Sequence, residues 1–246
     1  NGEEKYKLKI IIYNLTHGGG KKRPKDEYRI QIKEPILENE SGFITLILGY
    51  YDNLEVFAAF DINKHLSSPG YSSSLQIKKD CLADAVKYGF SACDKGNGEV
   101  AVAFKPDFFV EYIKQYHTLN NLAESAEAIE IFDNSMKETD VNDAELDIVT
   151  NERKETILQI KKKQRENNFR NRVLHAYGFK CAFSGIQLKL VDAAHILPVS
   201  VKGSTDQTSN GIALSSLHHK AFDKGIITID AEYKVHIKEE AIENLK

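Results

Sequence analysis

The chain has only three cysteines in 246 residues, Cys81, Cys93 and Cys181. They are too few and too scattered for a disulfide framework or a four-cysteine zinc site, so all three are expected to be unpaired in a reducing, cytoplasmic setting. No run of about 18 apolar residues exists, so no membrane span is expected. The N-terminal residues lack the basic-then-apolar pattern of a secretion signal. No internal repeat is visible. An excess of positive charge is missing too: the formal net charge is −3. Spread evenly, that balance would argue against a polyanionic partner, but the distribution is uneven. Residues 1–118 are neutral, with 16 basic and 16 acidic side chains; residues 119–150 carry a net −8; residues 151–246 carry a net +5. An acidic middle therefore hides a basic C-terminal part, and local charge is what attracts phosphate.

What is present is ordinary globular material, 41% hydrophobic and 28% charged, with room for one large or two small domains. Residues 5–13, 27–33, 43–51, 54–61 and 98–105 alternate or run apolar in the manner of strands. Residues 79–90 have helical apolar spacing, and Pro106 can open a second helix. Residues 1–118 are thus expected to form a mixed, β-rich domain whose sheet could close into a barrel. Its loop at 14–26 holds Gly18, Gly19 and Gly20 followed by Lys21, Lys22 and Arg23. The glycines allow close backbone approach, and the three cations could reach phosphates or guanine edges. Tyr50, Tyr51, Phe57, Phe60 and Tyr71 could offer stacking surfaces. Residues 119–150 read as an acidic, partly helical linker. From Asn151 a stronger helical pattern begins, with Ile157, Ile160, Phe169, Val173 and Leu174 apolar and Lys161, Lys162, Lys163, Arg165, Arg170 and Arg172 polar. Those six cations are candidates for phosphate contact. The fold class is α+β.

The stretch from Cys181 to Asp230 carries the chemistry. His195 lies in VDAAHIL, an apolar strand-like segment broken by Pro198. A polar loop leads to Asn210-Gly211, and LHHKAFD continues as a short helix. On that helix His219 and Asp223 stand four residues apart and project from one face. A strand delivering a histidine opposite a helix delivering a histidine and a carboxylate suits one hard-to-borderline divalent cation.

DAAHILP, NGIAL and LHHKAFD, with residues 195, 210, 219 and 223 at their key positions, resemble the HNH endonucleases of ββα-metal fold, and specifically the restriction-type branch. The resemblance covers residues 165–235. It implies that His195 is the general base, that Asn210 holds the loop and orients that base, and that His219 and Asp223 bind the metal. Members often place a further ligand just before the base histidine; here that position is Ala194, and Asp192 is the nearest carboxylate to replace it. One Mg²⁺ or Mn²⁺ per site is implied. Some members brace this fold with a four-cysteine zinc site. The matching positions here are Cys181, Ser184, Ser215 and His218, and two hydroxyls make a structural Zn²⁺ a poor fit. Packing of Phe183, Leu188, Ile196, Leu214, Phe222 and Ile227 is expected to take its place. The implied protein is a restriction-type endonuclease: a recognition domain at 1–118, a linker at 119–150 and an HNH nuclease domain at 151–246. It would act on double-stranded DNA, plain or modified, as a homodimer. The departure at Ala194 leaves a second reading open, a DNA-binding or ligand-sensing protein with a degenerate, inactive HNH domain.

Overall fold

Alternating and fully apolar segments set the strands of the first unit. The computed structural model describes residues 5–17, 24–32, 40–66, 74–138, 143–230 and 232–240. In chain order the first unit contains β1 (Leu8–Asn14), β2 (Thr16–His17), β3 (Glu27–Gln31), β4 (Ile44–Tyr51), β5 (Val56–Phe60), β6 (Ser74–Lys78), α1 (Lys79–Tyr88), β7 (Phe90–Asp94) and β8 (Val100–Phe104). Five strands form one sheet in the order β1-β4-β5-β8-β7, and three form a second in the order β2-β3-β6. β1 runs parallel to β4 and the other pairs are antiparallel. Neither sheet closes among the described residues: closure would need β1 to pair with β7, and they lie at opposite edges. The domain is β-rich, as expected, but open.

Every residue of β8, VAVAF, is buried because the larger sheet is covered on both faces. Alternation sends Val102 and Phe104 into one core with Leu46, Leu48 and Phe90. Ala101 and Ala103 enter the other with Ile47, Ala58 and Phe60. Helix α1 buries Cys81, Leu82 and Ala85. It ends at Gly89, whose φ of 91° suits glycine and whose absent side chain leaves room for the Phe108 ring. Because α1 packs on β7, Cys81 and Cys93 meet and form a disulfide, with Cα atoms 6.1 Å apart. This corrects the expectation that both are unpaired; nothing in their linear spacing reveals the helix-on-strand packing.

The acidic segment is built into the first unit. After α2 (Phe109–Lys114) come α3 (Tyr116–Asn120), α4 (Ala126–Lys137), α5 (Asp143–Leu146) and the long α6 (Asn151–Ala176). Ser125 caps α4, its hydroxyl accepting from the Ala128 N–H at 3.2 Å. Leu119, Leu122, Ala128, Ile131, Phe132, Met136 and Leu146 join Ile157 and Ile160 in the same core as Phe104, Phe108 and Tyr112. Glu124, Glu127 and Glu130 stay exposed, so negative net charge and a buried apolar stripe coexist. The chain divides into two compact units, residues 1–164 and 165–246, with the boundary inside α6. No helix among the described residues is long and apolar enough to cross a membrane.

The second unit contains the C-terminal turns of α6, β9 (Val191–His195), β10 (Gly211–Ser215), α7 (Ser216–Asp223), β11 (Ile227–Ile229) and β12 (Val235–Ile237). Its core is Phe169, Val173, Leu174, Cys181, Val191, Ala194, Ile212, Ala213 and Leu214, with Phe183 and Phe222 partly buried beside it. Leu188 and Ile196, expected in this core, are 79% and 46% exposed. Both lie outside the strands, where strand alternation no longer directs side chains inward.

Candidate functional site

β9 and β10 pair antiparallel, Gly211 opposite His195, and β10 runs directly into α7. The Ser215 hydroxyl starts that helix by accepting from the His218 N–H. Two strands followed by a helix thus gather residues 195, 210, 219 and 223 within one small element. Along β9, alternation sends Ala193 and His195 to one face and Asp192 and Ala194 to the other. His195 is half-buried at the strand end. Its ring lies parallel to the Phe169 ring, centroids 3.9 Å apart and planes 8° from coplanar. Its Nε2 is 3.0 Å from Asp206 Oδ1. The Asp206 carbonyl in turn accepts from Arg172 Nη2 at 2.7 Å. One helix, α6, therefore supports the histidine from its ring face and through the loop that carries its carboxylate. Asp206 is a residue the sequence reading missed: it sits in the aperiodic loop STDQTS, and only the fold brings it to His195.

Asn210 ties that loop shut. Its Oδ1 accepts from the Leu197 N–H at 2.8 Å, and its Nδ2 donates to the carbonyls of Thr205 at 2.9 Å and Leu197 at 3.1 Å. Its own carbonyl accepts from the Ile196 N–H at 2.8 Å. The next residue, Gly211, has an ordinary extended backbone, φ −121°. It is required instead by close approach, since a Cβ there would lie 2.2 Å from Val173 Cγ2 and 3.0 Å from Phe169 Cζ. Gly211→Ala is expected to destabilise the protein by about 1–3 kcal/mol through overpacking. Adding Val173→Ala should recover part of that loss, so the double variant should cost less than the sum of the single ones in urea unfolding. Simple additivity would mean that the two residues do not share this space.

On α7, His219 Nε2 and Asp223 Oδ2 are 3.5 Å apart, a pair of donors on one helix face. Asp192 does not join them. Its Oδ1 accepts from Arg170 Nε at 2.7 Å and from the Ala193 N–H at 2.9 Å. Among the described residues no three His, Cys, Asp or Glu side chains are grouped to hold a metal. Of the expected trio of Asp192, His219 and Asp223, the structure brings the last two together, while Asp192 shares a face of β9 with Ala194 and accepts from Arg170.

Among the cations expected to contact phosphate, Lys161 departs from the expectation. Lys161 is 4% exposed and its ammonium donates to the Glu138 carbonyl, so it belongs to the interior of the first unit. Arg170 and Arg172 are engaged with Asp192 and the Asp206 carbonyl and hold the site together. Lys162 and Arg165 are exposed and Lys163 is half-buried. Lys21, Lys22 and Arg23 lie outside the described residues, as does Tyr71. Phe60 is fully buried and offers no stacking surface.

The four positions compared with a zinc site do converge, as a hydrogen-bonded cluster. Cys181 Sγ is 3.2 Å and Ser215 Oγ 3.1 Å from His218 Nδ1. Burial pushes the Cys181 thiol up, but the Ser184 hydroxyl, the N–H groups of Ser184 and Ser215, and His218 together outweigh it and bring the thiol down to about 6. Because the folded value lies below that of the unfolded chain, the thiolate adds no stability below about pH 6. Its contribution grows from there and is complete only above the ordinary thiol value. The melting temperature of the wild type relative to Cys181→Ser should therefore rise across that window; parallel pH profiles would show that the thiol is not ionised in the fold.

Two family comparisons bear on this geometry. Residues 6–113 match the family described as Methylase-associated X1. Residues 181–230 match the family described as HNH endonuclease, and that range contains β9, β10 and α7. No curated protein and no solved structure matches the chain. The strand-borne His195, the Asn210-closed loop and the donor pair on α7 lie inside the second match, so residues 181–230 are an HNH endonuclease domain, carried on one chain with an N-terminal methylase-associated X1 domain.

Proposed function

We propose that this chain is a restriction-type DNA endonuclease that hydrolyses phosphodiester bonds of double-stranded DNA. The observation that carries this reading is His195, with a carboxylate on Nε2 and an aromatic ring on its face, in an HNH domain that also presents His219 and Asp223 on one helix. His195 acts as general base, taking a proton from the attacking water; imidazole changes charge near neutral pH and suits that task. Asn210 keeps the base on station by closing the loop that follows it.

His219 and Asp223 would hold one Mg²⁺ or Mn²⁺. Their donor set, one imidazole and one carboxylate, fits a cation that keeps several waters and takes further oxygens from its substrate. Bound there, the ion supplies Lewis acidity toward the phosphate and the departing oxygen. A structural zinc at Cys181 is not part of this reading, because two of the four matching positions are serines, Ser184 and Ser215.

The match to a methylase-associated domain supports a restriction setting, in which residues 6–113 recognise a DNA sequence or a modified base. Lys21, Lys22 and Arg23, with Lys162, Lys163 and Arg165, are the cations proposed to meet phosphates. Cutting both strands would use two copies of the chain, a homodimer, in the cytoplasm where the DNA is. The second reading, an inactive HNH domain in a DNA-binding or ligand-sensing protein, is favoured by Ala194 and by the tie of Asp192 to Arg170. The deciding experiment is cleavage of methylated and unmethylated plasmid and of cytosine-modified phage DNA with Mg²⁺, Mn²⁺ or EDTA. Metal-dependent cutting of at least one substrate supports the nuclease. Cutting that survives EDTA counts against the metal-dependent chemistry proposed here, and no cutting of any substrate favours the second reading.

A further inference from the structure

We propose that Asp206 is a positioning residue for His195, fixing which ring nitrogen is left to accept the proton. This rests on the reading of His195 as the base. A carboxylate is acceptor-only when ionised, so at 3.0 Å from Nε2 it is met by an Nε2–H. In the neutral ring the lone pair then belongs to Nδ1, and Nδ1 is the atom that takes the proton from water. Once it does, the imidazolium keeps its Nε2–H on the Asp206 carboxylate, so the charge that develops on the ring meets an anion already in place.

Three further contacts make this a built arrangement. The loop segment carrying Asp206 is pinned through its own carbonyl by Arg172 Nη2 at 2.7 Å. Asn210 Nδ2 holds the neighbouring Thr205 carbonyl at 2.9 Å. The parallel Phe169 ring at 3.9 Å restrains the tilt of the imidazole plane. Ring plane, hydrogen-bond direction and loop position are thus fixed by three different residues. Asp206 is about half exposed, 46% for the side chain, so water competes for the same proton and the effect should fall well short of that of a fully buried carboxylate.

The test uses the full chain with ¹⁵N-labelled histidine, and the variants Asp206→Asn and Asp206→Ala. Nitrogen shifts of the neutral His195 ring, assigned by their loss in His195→Ala, should report an Nε2–H tautomer in the wild type. Asp206→Ala should shift it toward a mixture. Asp206→Asn, nearly the same shape, offers an amide donor that admits the Nδ1–H tautomer, which a purely structural role would not require. On a substrate that the wild type cuts, both variants should lower kcat about 10–100-fold with KM nearly unchanged, the usual range for a residue acting through another. An Nδ1–H tautomer in the wild type overturns the proposal. So does an unchanged tautomer with full activity in both variants. A metal requirement raised in Asp206→Ala as much as in His219→Ala, with kcat restored by excess Mn²⁺, makes Asp206 a ligand and also overturns it. If the wild type cuts nothing, the nuclease reading fails on its own, and the nitrogen shifts still decide whether Asp206 sets the tautomer.

Discussion

Replacing His195 with alanine is expected to lower metal-dependent DNA cleavage by about 10²–10⁴-fold, the usual worth of general-base help, with DNA affinity unchanged. The reason is local. No other described side chain has the same combination of a strand-end position, a carboxylate on one ring nitrogen and a fixed ring plane. The affinity should survive because the cations proposed to meet phosphate are on other elements. The substitution also removes the ring that stacks on Phe169, which should cost about 0.5–1.5 kcal/mol and lower the melting temperature slightly. Single-turnover cleavage and a fluorescence-anisotropy titration on the same DNA separate the two quantities. Retention of more than a tenth of the wild-type rate would remove His195 as the base, whatever the binding result.

The second large effect is on stability. Phe169→Ala should destabilise the protein by about 3–5 kcal/mol, the range for deleting a buried aromatic side chain. Phe169 is 3% exposed and sits at the junction of three features: the second core, the His195 ring and the space above Gly211. The cavity cannot collapse easily, because Val173 and Gly211 are already in close contact from neighbouring positions. Phe169→Leu should recover much of the stability, because it refills volume, yet little of the activity, because an aliphatic chain does not hold the imidazole plane. Urea unfolding and cleavage measured on the two variants give the comparison. If Phe169→Leu cuts as fast as the wild type, the stack is packing alone.

Much of the arrangement of the candidate site was legible because it is local. His195, Asn210, His219 and Asp223 lie within one strand–loop–strand–helix unit, where strand alternation and helical spacing decide which way side chains project. Asp192 shows where that reasoning stops. It shares a face of β9 with Ala194, as a replacement ligand should, but its carboxylate accepts from Arg170 on α6, a partner that no spacing along the strand reveals. The acidic stretch at 119–150 reads as a linker through its net charge, which is a property of exposed side chains. Whether Leu122, Ile131, Phe132 and Met136 have a core to enter depends on the sheet they meet.

The sequence by itself determined the α+β class, the presence of the HNH motif and the pairing of His219 with Asp223 on one helix face, since each follows from periodicity and short spacing along a single element. Only the tertiary structure decided that the first domain's sheet stays open, that Cys81 meets Cys93, that Lys161 is interior and that Asp206, Phe169 and Arg172 support His195. Those outcomes join residues far apart in the chain or on different elements, and their pairing is set by how helices and strands pack, a choice that no local pattern of apolar and charged residues encodes.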